Sequence, residues 1–321
     1  MTFSTLHVVR EEVHFGWSRD QPPLYTVASG TEVGFDTQDA SAGQLDKEST
    51  AESVAALDFA RVNPVSGPIY VEGARPGDVL QVDILAVDPA GFGWTAIIPG
   101  FGLLADSFSE PWLHVWELAD AGGGGSLPAV LTDAVRVPIR PFCGVLGVAP
   151  AAPGRHNVLP PRRVGGNLDT RQLAPGTTLY LPVEVEGALF GVGDTHAAQG
   201  DGEVCGTAIE GPMTVILRLS VRRDLDIDTP EFDVAGPLER ASAAAGYHAT
   251  TGIGPDLMEA ARHSIRRMIA YLERRHRLSP EQAYALCSVA VDLRISEVVD
   301  APNWVVSAFL PNDLFDGLDS H

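Results

Sequence analysis

The chain is almost without lysine. Of its 321 residues 22 are basic, and reading along the sequence 21 of these are arginine, leaving Lys47 as the one lysine. Schiff-base enzymes, phosphate-loop enzymes and the Ser–Lys or Cys–Lys–Glu amide hydrolases all need a lysine in a defined place. Lys47 lies in the polar stretch 46–50 with no glycine-rich strand-to-helix turn around it, so those mechanisms are set aside. Cysteine is scarce too. Cys143, Cys205 and Cys287 are odd in number and far apart, which fits neither a disulfide framework nor a cysteine-rich zinc site, and which suits a reducing compartment. Cys143 in PFCGV and Cys205 in EVCGT read as small buried hydrophobes on strands before they read as nucleophiles. No apolar run approaches the ~18–20 residues of a bilayer span, and residues 1–20 lack a signal-peptide pattern. A cytoplasmic globular protein is expected. With 42 acidic residues the formal charge is −20, a surface that repels nucleic acid and anionic membranes.

What is present is β-structure. Residues 79–87 (VLQVDILAV) alternate, with Leu80, Val82 and Ile84 on one face and Gln81 and Asp83 on the other. Residues 178–186 and 213–222 do the same, placing Leu179, Leu181 and Val183, then Val215, Leu217 and Leu219, on an apolar side. A period of two with one wet face predicts antiparallel sheets. The Gly-Pro and Pro-Gly turns between them suit a sandwich or barrel. After Asp228 the pattern changes. Residues 256–275 carry a helical stripe through Ala260, Ile265, Met268, Ile269 and Leu272. Ser279-Pro280-Glu281-Gln282 forms a capping box that opens a second helix, expected to run through 283–294. The expected class is mainly β with an α+β C-terminal part: an antiparallel β-sandwich or barrel over residues 1–228 carrying the site. Residues 229–321 are expected to form a helical hairpin and C-terminal segment packed with it as one unit.

Chemistry concentrates in residues 193–203 (GDTHAAQGDGE), with three carboxylates, one histidine and three glycines. Asp194 and His196 are two apart, so on an extended segment both point the same way. Carboxylate plus imidazole suits zinc or a similar divalent ion, and Glu203 or Asp201 could then activate water as a general base. A solvated acidic loop is the competing reading. A second cluster, GGNLD, carries Gly166, Asn167 and Asp169. Asn167 can offer a donor and an acceptor to an amide-like ligand, with Asp169 on the same side if extended. An Asn/Asp/Gly turn explains it equally well. Glu72 is a further carboxylate, either at the site or at the end of a strand.

The stretches GPIYVEGARPGDVLQVDIL, GFGWTAIIPGFGLLAD, PPRRVGGNLD, VEGALFGVGDTHAAQGDGEVCGTAIEG and SPEQAYALCSVAVDLRISEVVD resemble, in that order, the acetamidase/formamidase family. The GGN-x-D and GD-x-H-A-x-x-GDGE elements are specific to it. The resemblance implies hydrolysis of short linear amides to ammonia and a carboxylate, a β-rich fold, a homo-oligomer (dimer or higher) and a divalent metal near the GDxHA loop. On that match Glu203 and Asp201 are the catalytic candidates. Asn167 and Gly166 are the substrate-binding candidates, and Asp194, His196 and Asp169 the metal ligands. Zinc is the expected ion, with calcium as the alternative. Val164 stands where acetamidase-like members often carry histidine, which looks more like the formamidase branch, whereas the length looks like the shorter acetamidase branch. Two other readings stay open: a metal-free pair of carboxylates such as Glu72 and Glu203, and a non-catalytic β-sandwich module binding calcium or a small ligand.

Overall fold

The computed structural model describes residues 6–118, 127–234, 246–299 and 301–315. The alternating segments pair as their pattern requires. Met213–Arg222 lies antiparallel to Val79–Pro89, which pairs on its other side with Thr177–Pro182. Leu219, Val82 and Leu179 stand side by side across the three strands and are fully buried. On the wet face Asp83 accepts from Thr178 Oγ1 at 2.9 Å and lies 3.7 Å from Arg218. Leu6–Val8, Thr31–Asp36 and Glu231–Val234 complete this six-stranded sheet. The strand expected over 178–186 stops at Pro182, because proline has no N–H for the ladder.

The second sheet holds the functional segments. Its order is Gly165–Asn167, Phe142–Gly147, Phe190–His196, Val65–Val71 and Val13–His14, with Tyr25–Val27 added parallel to Val65–Val71. Both central strands, Phe142–Gly147 and Phe190–His196, are buried along their whole length. The two sheets share one apolar cluster, and Phe35 of the first meets Phe190 of the second edge-on at 6.3 Å. The expected antiparallel sandwich is therefore observed. A residue with a side chain at position 147 or 165 would hold the strands apart. A Cβ on Gly147 would lie 2.5 Å from Gly166 N, and one on Gly165 2.4 Å from Leu146 O. That close approach requires the first glycine of GGNLD, and the second, Gly166, sits at φ 102°, a conformation that favours glycine.

The C-terminal part contains both expected helices and a sheet that the periodicity did not reveal. Leu257–His276 is capped by Asp256, whose side chain accepts from Glu259 N. Pro280–Ala290 opens with the reciprocal Ser279/Gln282 capping box. The second helix ends at Ala290, short of the expected Arg294, because Val291 is extended and Asp292–Glu297 pairs with Trp304–Pro311. Tyr247–Gly254 flanks the other edge of Trp304–Pro311, giving a three-stranded sheet. Residues of both helices, including Met268, Leu272, Tyr284 and Leu286, join the same apolar cluster as the two sheets. Among the described residues no helix is long and apolar enough to cross a membrane.

Candidate active site

The Phe190–His196 strand ends beside a pocket that Asp194 lines, with His196 buried next to it. Asp194 and His196, both buried, lie with Oδ1 and Nε2 3.2 Å apart. Glu210 reaches the same imidazole nitrogen, Oε2 to Nε2 3.0 Å, after the chain doubles back to bridge His196 and Trp94. Asp169 arrives from the turn after Gly165–Asn167, and Glu203 from the loop after Gly200. Asp169, Asp194, Glu203 and Glu210 all line one cavity. Asp169, Asp194 and His196 form one set whose ligand atoms lie within 4.8 Å of one another, and His196, Glu203 and Glu210 form a second.

Backbone strain marks the same residues. Asn63, Asp169, Asp194 and Glu203 have φ of 48°, 44°, 50° and 42°, which is half of the eight non-glycine residues with positive φ among those described. Such conformations are disfavoured for residues with a Cβ and collect where the fold over-determines a functional geometry.

The hydrogen bonds fix the tautomer of His196. Gln199 donates from Nε2 to the carbonyl of Asp169 at 2.6 Å, so its Oε1 faces His196 Nδ1 at 2.9 Å. Nδ1 therefore carries a proton and donates, and Nε2 faces two carboxylates, offering a lone pair when the ring is neutral and donating to them when it is protonated. Asp169 Oδ1, Asp194 Oδ1, His196 Nε2 and Glu210 Oε2 are all buried without a hydrogen-bond partner. Three carboxylate oxygens and an imidazole lone pair are poorly compensated facing one another in a dry site, so the cluster suits a cation among them, a metal ion or a proton. When that cation is only a proton, the titrations shift accordingly. Burial and the Asp194 charge push Asp169 up to about 8. Burial raises Glu210 to about 7, with His196 pulling the other way. Burial opposes a charge on His196, but Glu210 and Asp194 outweigh it and hold the ring protonated. Glu203 is raised well above the usual carboxylate range by burial and by Asp169.

The expected residues separate. Asp169, Asp194, His196 and Glu203 come together as the spacing and resemblance suggested. Asn167 reaches the cavity wall, but its amide is already engaged: Nδ2 donates to Asp169 Oδ2 at 2.6 Å and Oδ1 accepts from Asn63 at 3.3 Å. Gly166 is not part of the cavity lining and packs beside Trp17 instead. Asp201 also stands outside the lining. Its carboxylate is held by Arg171 at 2.7 Å and Gln172 at 3.2 Å, and Arg171 bridges on to buried Asp292 at 2.8 Å. Glu72 is exposed and away from the cavity. All three cysteines are buried, and burial raises the Cys143 thiol to about 12. Asn63, Gln199 and Glu210 are parts of the site that sequence reasoning missed. Asn63 donates to Asp194 Oδ2 at 2.9 Å.

The chain matches the sequence model of the Acetamidase/Formamidase family over residues 4–158 and 151–317. It is 28% identical to a formamidase of Methylophilus methylotrophus, with 95% of this chain and 90% of that protein aligned. Among solved structures, a γ-lactamase from Delftia acidovorans superposes with a TM-score of 0.85 at 27% identity, covering 96% of this chain and 90% of the other. An acetamidase from Bacillus halodurans gives a TM-score of 0.67 at 33% identity, over 95% and 97% of the two chains. The chain belongs to the acetamidase/formamidase family and is an amidohydrolase acting on the C–N bond of linear amides.

Proposed function

We propose that the protein hydrolyses short linear amides to ammonia and a carboxylate at a divalent-metal centre built from Asp169, Asp194, His196 and Glu210. The observation that carries the metal is a pair of overlapping ligand sets that share His196, one with Asp169 and Asp194 and one with Glu203 and Glu210, in which Asp169 Oδ1, Asp194 Oδ1, His196 Nε2 and Glu210 Oε2 are buried. A neutral imidazole with its other nitrogen tied to Gln199 is the arrangement that metal-binding histidines adopt. Nitrogen in the set favours zinc or a similar ion over calcium, which takes oxygen ligands. A bound divalent ion would polarise the amide carbonyl and acidify a water.

The side chains supply the rest. Glu203 is half-buried and its elevated proton affinity suits a group that takes a proton from water and returns it to the leaving amine. Without that return the nitrogen would have to leave as an amide anion. Asp201 is the weaker candidate for base, because its carboxylate is committed to Arg171. Asn63 and Asn167 hold Asp194 and Asp169 in place rather than leaving a free amide for substrate. We also read the protein as a homo-oligomer, since Ile253, Ile295 and Val299 leave apolar side chains 60%, 63% and 81% exposed. Light scattering that gives a monomer removes this last point.

Ammonia release from formamide, acetamide and propionamide tests the activity. Glu203→Gln should lower kcat by about 10²–10⁴ while keeping the metal. Full turnover in that variant excludes Glu203 as the base.

A further inference from the structure

The cavity above the acidic cluster has a volume of about 350 Å³. At roughly 30 Å³ for each water-sized heavy atom, it has room for about eleven. A carboxamide and one attacking water occupy about four of these places, leaving about seven that formamide or acetamide cannot fill.

The lining of that extra space is apolar. Asp169, Asp194, Glu203 and Glu210 make the floor, whereas Leu57, Phe59, Ile98, Phe101 and Leu159 make the walls. Trp94 also lines it, and its indole N–H donates to Asp39 at 2.9 Å, so it presents carbon to the cavity. The wall hydroxyls of Ser41 and Thr207 donate elsewhere, to Asp39 and to the carbonyl of Ala96. Phe59 and Phe101 remain 53% and 42% exposed, a large apolar area for a bound molecule to cover. None of the described residues lining the cavity is Lys, Arg or His. A second carboxylate on the substrate would find no cation and would face four acids. An α-ammonium would give up water for walls that are mostly carbon.

Resting on the amidase reading, we infer that the preferred substrate is a primary amide whose acyl group is an uncharged hydrocarbon of about four to seven carbons, with Phe59 and Phe101 setting that preference. Amides that carry a further charge are poor substrates.

Two measurements on the metal-loaded enzyme test this. The first is kcat/KM for ammonia release from formamide, acetamide, pentanamide, hexanamide, benzamide and glutamine. The second is calorimetric affinity for the same compounds. Each methylene buried against the walls should add about fourfold, so that pentanamide exceeds acetamide by about 60-fold and glutamine falls far below both. Phe59→Ser and Phe101→Ser should each reduce the gain per methylene. A gain that is flat or falling with chain length in both measurements overturns the inference, as does glutamine matching pentanamide. Absence of ammonia from every amide overturns the amidase reading instead. In that event the calorimetric gradient still decides whether the cavity selects a hydrocarbon chain.

Discussion

Replacing Arg171 by methionine isolates the framework that holds the catalytic loops. Arg171 follows Asp169 by two residues, and Asp201 precedes Glu203 by two. One guanidinium therefore ties both loops together and, through Asp292, to the C-terminal sheet. The Arg171 side chain is 7% exposed and that of Asp292 2%, so solvent cannot replace the lost partner. Removing one member of a buried ion pair costs about 3–5 kcal/mol. Asp292 still accepts from Asp201 N at 3.1 Å and has Arg294 at 3.9 Å, which puts the expected loss near the lower end, about 3 kcal/mol. At about 2–4 °C per kcal/mol for a large chain, Tm should fall by roughly 6–12 °C in a thermal scan at neutral pH. Adding Asp292→Asn should recover part of that loss, because the buried charge goes with its partner. Loosening both loops should also lower kcat/KM by about tenfold or more, since small misplacements at a catalytic site are costly. An Arg171→Met variant with a Tm within about 2 °C of the parent refutes the reasoning.

Three further outcomes follow from the site. Gly144→Ala places a methyl carbon 2.6 Å from Asp169 Oδ1 and 3.0 Å from His196 Cε1. It should cost about 1–3 kcal/mol and weaken metal affinity about 10–100-fold in a metal titration. Metal-free protein should lose stability as pH rises from about 4 to 8. Asp169 at about 8 and Glu210 at about 7 keep protons that the unfolded chain releases near 4, so the folded form is penalised progressively across that window. His196, held protonated, gives up its contribution in the same direction. Denaturation of the chelated protein should show stability falling steadily across that window, and added metal should restore most at the alkaline end. Alkylating agents should leave activity of the native enzyme intact, because Cys143, Cys205 and Cys287 are buried and their thiols are raised by burial. Inactivation that tracks labelling of one cysteine would contradict this.

The strands that the sequence reveals are those with one wet face. Val79–Pro89 and Met213–Arg222 alternate because Val82 and Leu219 enter the core while Asp83 and Arg218 stay outside. Phe142–Gly147 and Phe190–His196 are buried on both faces and carry glycines where strands crowd together, so neither has an alternation to read. The helix start at Ser279 is legible because a capping box is a local device. Its end is not, because pairing of Asp292–Glu297 with residues eight or more positions later overrides helical continuation. The site divides in the same way. Asp194 and His196 sit two apart on one strand and could be paired from spacing. Asp201 looked equivalent to Glu203 until Arg171, thirty residues earlier, claimed its carboxylate. Glu210 reaches His196 only because the chain folds back, and no local spacing marks it. Its one signal was membership of the AIEG segment that shares the family resemblance.

Elemental analysis of the purified parent and of His196→Ala, with ammonia release measured on the same samples, bears most directly on the metal centre. The parent should carry one divalent ion per chain, and the variant should lose both the ion and the turnover. A parent free of divalent metal that hydrolyses amides after exhaustive chelation would contradict the account.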